Sequence, residues 1–271
     1  MRVRQRKGRK KWIWMLLILL VVGIGGYFLY QALTPWYDRG DVIIHGCGVI
    51  NGVYGSNSRE ALEVSIELKQ KIIEVDFAYT TDGVLVCTHK WEASGGTRQN
   101  LSEFLATKTE GGYTPLTARD AIEMMAEGGD IYMVVDTKEE DVVRVYQDLY
   151  QTCIDTENEK FLKRMVPQIY SEDEYDAVAA IYEFPQWIFT TYKLKLKLPE
   201  QYREVAFFCQ SKGIDVVTVP VYRLNDAVVS VINEYDLRCF THTVNTISEF
   251  ETLKTSGVGG VYSDTLLNLR E

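Results

Sequence analysis

Residues 57–89 read NSREALEVSIELKQKIIEVDFAYTTDGVLVCTH, a predicted helix that leads directly into a predicted buried strand. Asn57 is the expected N-cap of the helix over residues 57–69, because Glu60 follows it at the spacing of a capping box. The apolar run over residues 72–77 is the strand. Strands that alternate with helices predict an α/β protein with a parallel sheet.

The same alternation continues to the end of the chain. The predicted strands cover residues 42–45, 72–77, 131–136, 166–170, 187–191, 214–219, 239–243 and 258–262. Eight such units in about 230 residues predict a closed (β/α)8 TIM barrel over residues 41–271. A doubly wound open sheet is the alternative fold, although no glycine-rich nucleotide-binding loop follows any predicted strand.

The first forty residues differ in composition from the barrel. Residues 1–11 hold seven of the 29 Lys and Arg residues and are predicted to be a basic cytoplasmic tail. Residues 12–30 have no charge, and about twenty apolar residues are enough to cross a bilayer. This pattern predicts one transmembrane helix, joined by a linker over residues 31–40 to an extracellular catalytic domain at the cell membrane. A cleaved signal peptide is the alternative.

Charge and cysteine content restrict the remaining classes of function. Without the basic tail the chain has 22 basic and 38 acidic residues, a net charge of −16. Nucleic acid is therefore excluded as a partner, since such binding depends on Lys and Arg that neutralise phosphates. The five cysteines are an odd and widely spaced set, which predicts buried unpaired thiols, with a single disulfide bridge as the alternative.

Three carboxylates lie on predicted strands. Glu74 and Asp76 point to the same face, because residues i and i+2 of a strand share a face, and Asp136 ends another strand. Carboxylates in an apolar setting are costly unless a cation compensates them. We therefore predict one divalent cation, Mg²⁺ or Ca²⁺, at this cluster. Salt bridges to basic side chains are the alternative explanation.

The chain has three histidines, and each lies at or near a predicted strand end, where the active sites of TIM barrels lie. We predict that His45 and His89 are catalytic, because one imidazole can accept a proton from a nucleophile while another donates one to a leaving oxygen. Lys138 shares a face with Asp136 and is predicted to hold an anionic group. Together with a metal ion, these residues suit phosphodiester cleavage.

The hairpin after residue 77 supports this grouping. Asp82-Gly83 is a strong signal for a two-residue hairpin loop, which pairs Thr81 with Val84. In that register Asp76 lies opposite His89, so the hairpin returns a histidine to the carboxylates. A bulge in the hairpin would shift the pairing by one residue.

A zinc site is the alternative metal centre. His45-x-Cys47 and Cys87-x-His89 together offer two nitrogen and two sulfur ligands. The neighbouring carboxylates suit a hard cation better than zinc.

As an ordered set, these motifs resemble those of the glycerophosphodiester phosphodiesterase family, TIM barrels of the phosphatidylinositol-specific phospholipase C-like superfamily. The resemblance extends over residues 41–268. The similar motifs are His45, Asn57-Ser58, Glu74-x-Asp76, Asp82-Gly83, His89, residues 134–138 (VVDTK), residues 240–246 (FTHTVNT) and residues 257–264 (GVGGVYSD). The resemblance implies metal-dependent phosphodiester hydrolysis, with Lys138 and His242 at the substrate.

The chain departs from the family pattern at two positions. Gly46 stands where the family has an arginine that contacts the phosphate, and Asp136 replaces a longer glutamate. Lys138 or Lys90 can compensate for the arginine, or the substrate is different, for example a lipid headgroup or a phosphodiester-linked cell-surface polymer. The alternative function is a catalytically inactive, membrane-anchored binding module on the same barrel.

Overall fold

The structure, a computed structural model, describes the backbone of residues 4–265, without the side chains of residues 4–11, 27–33 and 92. The ends of the predicted basic tail and of the predicted barrel domain therefore lie outside the described residues. The chain divides into two compact units, Met1–Arg39 and Gly40–Glu271.

The first unit consists mainly of helix α1 (Arg4–Leu33), which is followed by a short 3-10 turn at Trp36–Asp38. The predicted transmembrane run over residues 12–30 lies on this helix. Within the described part of the chain, no helix is both long enough and apolar enough to cross a membrane. The structure therefore does not support the predicted transmembrane helix.

The second unit contains eight parallel strands that close into a barrel. They are β1 (Val42–Ile44), β2 (Ile72–Tyr79), β3 (Tyr132–Thr137), β4 (Met165–Ile169), β5 (Ile188–Thr190), β6 (Val216–Pro220), β7 (Arg238–His242) and β8 (Gly260–Ser263). Consecutive strands pair in parallel, and β1 pairs with both β8 and β2 to close the ring. The predicted (β/α)8 fold is confirmed, and the open-sheet alternative is wrong.

Helices connect the strands. They are α2 (Arg59–Glu67), α3 (Leu101–Ala106), α4 (Ala118–Glu127), α5 (Val142–Asp155), α6 (Glu172–Ala179), α7 (Tyr202–Lys212), α8 (Asp226–Asn233) and α9 (Ile247–Thr255). All of them except α3, which belongs to the insertion after β2, cover the outside of the barrel. Because helices cover the outer face and side chains fill the interior, the strands are buried along nearly their whole length. All five cysteines are buried and free, as predicted.

Helix α2 begins one residue later than predicted. Its N-cap is Ser58, whose Oγ accepts a hydrogen bond from the Ala61 amide at 3.4 Å. Ser58 has the extended backbone of an N-cap, whereas Asn57 has a left-handed backbone with φ of +47°. Asn57 is fully buried. The predicted role of Asn57 as a cap is therefore wrong.

Two insertions extend from the carboxyl ends of β1 and β2. After β1, Val49–Ile50 pairs antiparallel with Val53–Tyr54. After β2, Leu85–Cys87 returns antiparallel to β2 and then pairs with Leu116–Thr117. Both insertions lie at the end of the barrel where TIM-barrel enzymes carry their active sites.

The hairpin after β2 has a three-residue loop instead of the predicted two-residue loop. The Thr80 amide donates to the Val84 carbonyl at 2.9 Å, and Gly83 closes the turn with a φ of +81° that favours glycine. This extra residue shifts the pairing by one position. Asp76 therefore lies opposite Thr88, whose amide donates to the Asp76 carbonyl at 3.0 Å.

Gly260→Ala tests the packing that closes the barrel. A Cβ at residue 260 would lie 2.5 Å from Phe240 Cζ and 2.8 Å from the Asp41 carbonyl oxygen. We expect a loss of about 1–3 kcal/mol of stability, measured as a lower melting temperature by circular dichroism. Gly40→Ala is the control, because its Cβ has no neighbour closer than 3.7 Å. Equal melting temperatures for the two variants would contradict the assigned packing.

Candidate metal and acid–base site

Three carboxylates from two neighbouring strands form a cluster inside the barrel mouth. Glu74 and Asp76 lie on β2 and Asp136 lies on β3, and the parallel register places Asp76 beside Asp136. All three residues are buried, and one carboxylate oxygen from each lies within 4.8 Å of the others. The predicted ligand set is therefore brought together, and it can hold a divalent cation.

The Lys138 ammonium lies within this cluster. Its Nζ is 2.7 Å from Asp76 Oδ1 and also contacts Asp136 Oδ2. The ammonium carries a single positive charge beside three carboxyl groups, and it is the ion-pair partner of both Asp76 and Asp136. A cluster of three buried carboxyl groups with their oxygens close together suits Mg²⁺ or Ca²⁺. The residues present therefore fit the predicted cation.

The protonation of the cluster follows from burial and from neighbouring charges. Burial raises the pKa of Glu74, and the carboxylate of Asp76 raises it further. Burial also acts against the charged form of Asp76, but the Lys138 ammonium outweighs this effect and lowers the pKa of Asp76. Burial likewise opposes the charged form of Lys138, and the surrounding carboxylates hold its pKa above the ordinary value.

Asn57 holds Asp76 with two hydrogen bonds. Its Nδ2 donates to Asp76 Oδ2 at 2.8 Å, and its Oδ1 accepts from the Asp76 amide at 3.0 Å. Both side chains are buried, so the carboxylate orientation is fixed without solvent. Sequence reasoning missed this contact, since Asn57 was interpreted as a helix cap. The signal available in the sequence was an asparagine directly before Ser58, a second residue able to cap the helix.

Gly46 supports the second ligand through its backbone. Its amide donates to Glu74 Oε2 at 2.6 Å. Gly46 has a φ of +53°, and a Cβ built on it would lie 2.5 Å from Gly55 Cα. No side chain fits at residue 46 unless the backbone at Gly55 moves. The arginine of the family pattern is therefore sterically excluded here.

A buried chain of hydrogen bonds supports the third ligand. Tyr170 Oη donates to Asp136 Oδ1 at 2.7 Å and accepts from Gln168 Nε2 at 3.0 Å. Tyr262 Oη donates to Gln168 Oε1 at 2.6 Å. This network joins β8 to β4 and fixes Asp136 from the side opposite its contact with Lys138. Sequence reasoning missed it, although Gln168 and Tyr170 share the i, i+2 spacing of one strand face.

His45 follows β1 directly and is paired with an acid. Its Nδ1 lies 2.8 Å from Asp264 Oδ1. Burial acts against the charged imidazole, but the negative charges of Glu74, Asp264 and Asp76 outweigh it and raise the pKa of His45 to about 9. Nδ1 is engaged by Asp264, so Nε2 is the atom left to exchange a proton with a bound molecule.

His242, at the end of β7, lies beside His45. The two ring centroids are 5.7 Å apart, and the Tyr192 ring lies 4.6 Å from His242. Burial lowers the pKa of His242, and the charge of His45 lowers it as well. The structure therefore brings the predicted substrate residue next to one of the predicted catalytic histidines.

His89 lines the same cavity as His45 and Asp76, with a volume of about 300 Å³. The walls come mainly from the two insertions and include Tyr54, Trp91 and Phe104. Both predicted catalytic histidines therefore share one cavity beside the acidic cluster.

The alternative zinc site finds no support. Within residues 4–265, the acidic triad is the group of potential ligands close enough to share one ion. Cys47 Sγ is directed to Asn57 Oδ1 at 3.8 Å, and Cys87 Sγ donates to the Thr117 carbonyl at 3.6 Å. Burial raises the pKa of both thiols, which favours the neutral form over the thiolate that zinc requires.

Asn57→Ala tests the clamp on Asp76. Loss of both hydrogen bonds frees the carboxylate, so we expect about 10–100-fold weaker binding of Mg²⁺ or Ca²⁺, measured by isothermal titration calorimetry. Asn225→Ala is the matched control, because Asn225 caps α8 through the Val228 amide. Metal affinities that are equal in the two variants would show that Asn57 does not position the ligand.

The structure is similar to solved phosphodiesterases at low sequence identity. A glycerophosphodiester phosphodiesterase from Parabacteroides distasonis is 16% identical with a TM-score of 0.64, covering 83% of this chain and 93% of that one. An Oleispira antarctica phosphodiesterase in complex with sn-glycerol-3-phosphate is 14% identical with a TM-score of 0.66, covering 84% and 95%.

The enzyme from Thermotoga maritima is 16% identical with a TM-score of 0.59, covering 83% of this chain and 94% of that one. No protein-family model and no curated protein sequence matches the chain. The chain therefore has the TIM-barrel fold of the solved glycerophosphodiester phosphodiesterases.

Proposed function

We propose that this chain is a metal-dependent phosphoric diester hydrolase. The observation that carries the proposal is one site in which three buried carboxylates lie beside a cavity lined by His45 and His89. The solved structures of similar fold support it, and one of them holds sn-glycerol-3-phosphate, a product of diester cleavage. The proposed substrates are a glycerophosphodiester-like small molecule, a lipid headgroup or a cell-surface polymer.

Glu74, Asp76 and Asp136 are the proposed ligands of one Mg²⁺ or Ca²⁺ ion. A divalent ion held there would polarise a phosphoryl oxygen and neutralise the charge that develops on it. The chain contributes the rigidity of the ligands, since Asn57 holds Asp76 and Tyr170 holds Asp136. Preorganised ligands need no reorganisation during the reaction.

His45 and His89 are the proposed acid–base pair. Asp264 engages Nδ1 of His45, so Nε2 of His45 is the atom assigned to proton exchange. One imidazole accepts a proton from the nucleophile, which is water or a hydroxyl of the substrate, and the other donates a proton to the leaving oxygen. The second type of nucleophile gives a cyclic phosphate product.

Lys138 and His242 are the proposed substrate contacts. Lys138 is the cation within the acidic cluster, and its charge takes the place of the absent arginine in attracting a phosphate. His242 lies against His45 and Tyr192 at the same end of the barrel.

The second candidate function is a catalytically inactive binding module. One observation favours it, since Gly46 leaves no space for an arginine that grips the phosphate. This barrel would bind a phosphodiester or a cation without turnover. Hydrolysis of an aryl phosphodiester, with and without added Mg²⁺ or Ca²⁺, separates the two functions.

His89→Ala and Glu74→Gln form one diagnostic pair. We expect His89→Ala to lower turnover of the aryl phosphodiester by about 10²–10⁴-fold with metal affinity unchanged, because only proton transfer is lost. We expect Glu74→Gln to weaken metal binding itself, because one charged ligand becomes a neutral amide. Turnover and calorimetric metal affinity are measured for both variants. Unchanged turnover in both would place the active site elsewhere.

The location at the cell membrane, with the barrel outside, is a proposal carried by the sequence alone. The uncharged run over residues 12–30 after a basic tail supports it. We expect the full chain to stay in the membrane fraction after an alkaline carbonate wash and to be digested by protease added to intact cells. Recovery in the soluble fraction would contradict the anchor, and protection from the protease would reverse its orientation.

A further inference from the structure

The loop after β5 has a repeating pattern that the proposed chemistry does not use. Residues 192–199 read YKLKLKLP, with three lysines and no acidic residue in a chain of net charge −9. The lysines of this loop are exposed, while Leu194 and Leu196 pack against the barrel core. The alternation therefore presents ammonium groups to solvent along one edge of the loop.

The next loop along the barrel extends this surface. Tyr222 follows β6 with 79% of its surface exposed, and Leu198 is 60% exposed. Leu196 and Lys197 line the same shallow pocket as Tyr222, so the two loops are neighbours. We name Lys195, Lys197, Leu198 and Tyr222 the Lys-Leu patch.

The two loops of the patch are tied together by an arginine. Arg223 donates through Nη1 to the Leu194 carbonyl and through Nη2 to the Thr191 carbonyl, both at 2.8 Å. Arg223 therefore fastens the start of the first loop, directly before Lys195, to the second loop.

The patch lies at the same end of the barrel as the metal site. Both of its loops leave the carboxyl ends of their strands, and Tyr192, at the start of the first loop, lies with its ring 4.6 Å from His242. Lys193 connects the two regions, since it lies over the Tyr170 ring and 3.8 Å from Glu174. The patch therefore lies at the same face of the barrel as the proposed active site.

We propose that the Lys-Leu patch docks the mouth of the barrel on an anionic lipid bilayer. Across the described residues, neither Lys195 nor Lys197 has an ion-pair partner, so both charges are available to acidic headgroups. Exposed leucine and tyrosine among lysines is the composition of a membrane-interface contact. A soluble polyanion would recruit the lysines but would leave Leu198 and Tyr222 unused.

The choice of substrate that follows from docking rests on the proposed hydrolase function. A diesterase docked through its active face would meet its substrate at the bilayer, which selects a lipid headgroup from the proposed substrates. The docking itself requires no turnover, so it is tested separately from catalysis.

Hydrogen–deuterium exchange of the full chain is the test. The protein is incubated with vesicles of phosphatidylcholine alone and with vesicles that also contain phosphatidylglycerol. We expect residues 192–199 and 221–223 to exchange more slowly with the anionic vesicles, and we expect high salt to remove the difference. Lys195→Glu/Lys197→Glu should abolish this protection from exchange, since each lysine near an anionic surface adds about fivefold in affinity for the vesicle.

The matched control is Lys160→Glu/Lys163→Glu, which changes the charge equally on exposed residues before β4, at the other end of the barrel. This control should keep the protection. Equal exchange with both kinds of vesicle would overturn the proposal. Protection by soluble polyphosphate without protection by anionic vesicles would also overturn it, in favour of a polyanion site.

A parallel measurement separates docking from catalysis. Turnover of the soluble aryl phosphodiester should be equal in Lys195→Glu/Lys197→Glu and the unchanged chain, because neither lysine lies in the proposed site. Protection without turnover in the unchanged chain would refute the proposed hydrolase while leaving the docking surface intact. Turnover that falls with the charge reversal would instead assign these lysines to the reaction and contradict a docking role.

Discussion

Burying three carboxylates in the mouth of an apolar barrel costs free energy unless each negative charge is compensated. Several groups in the structure compensate or hold these carboxylates. Lys138 supplies a charge, Asn57 and the Gly46 amide supply hydrogen bonds, and Tyr170 fixes the remaining acid. These groups come from the segments that follow β1, β3 and β4, so the cluster depends on the pairing of β1, β2, β3 and β4. Three carboxyl oxygens held close together in this way make a divalent cation the natural occupant.

The features that could be predicted from the sequence are those that follow from local periodicity. Strands that alternate with helices predicted the eight barrel strands, and residues two apart on a strand predicted that Glu74 and Asp76 share a face. The carboxyl ends of parallel strands meet at one end of a barrel, and His45 and Asp76 accordingly line one cavity there. The first two predictions depend on short stretches of sequence, and the third depends on the general geometry of a barrel.

The features that could not be predicted depend on contacts between distant parts of the chain. Asparagine is common at helix N-caps, and Glu60 follows Asn57 at the spacing of a capping box. Only the folded barrel shows that Asn57 binds Asp76 while Ser58 caps α2. The three-residue loop at Gly83 changed the partner of Asp76 by one residue, because a dipeptide signal does not distinguish loop lengths. The hydrogen bonds from Tyr262 through Gln168 to Tyr170 join strands that are far apart in sequence.

The close approach of Gly46 and Gly55 links the residue type at position 46 to the presence of the insertion after β1. The insertion that ends at Gly55 occupies the volume that any side chain at residue 46 would need. A barrel of this type can therefore carry a long basic side chain at that corner or this insertion, but not both. Descent from an arginine-bearing ancestor would require the side chain at residue 46 to be lost before or together with the gain of the insertion, and relatives that share the hairpin should share Gly46.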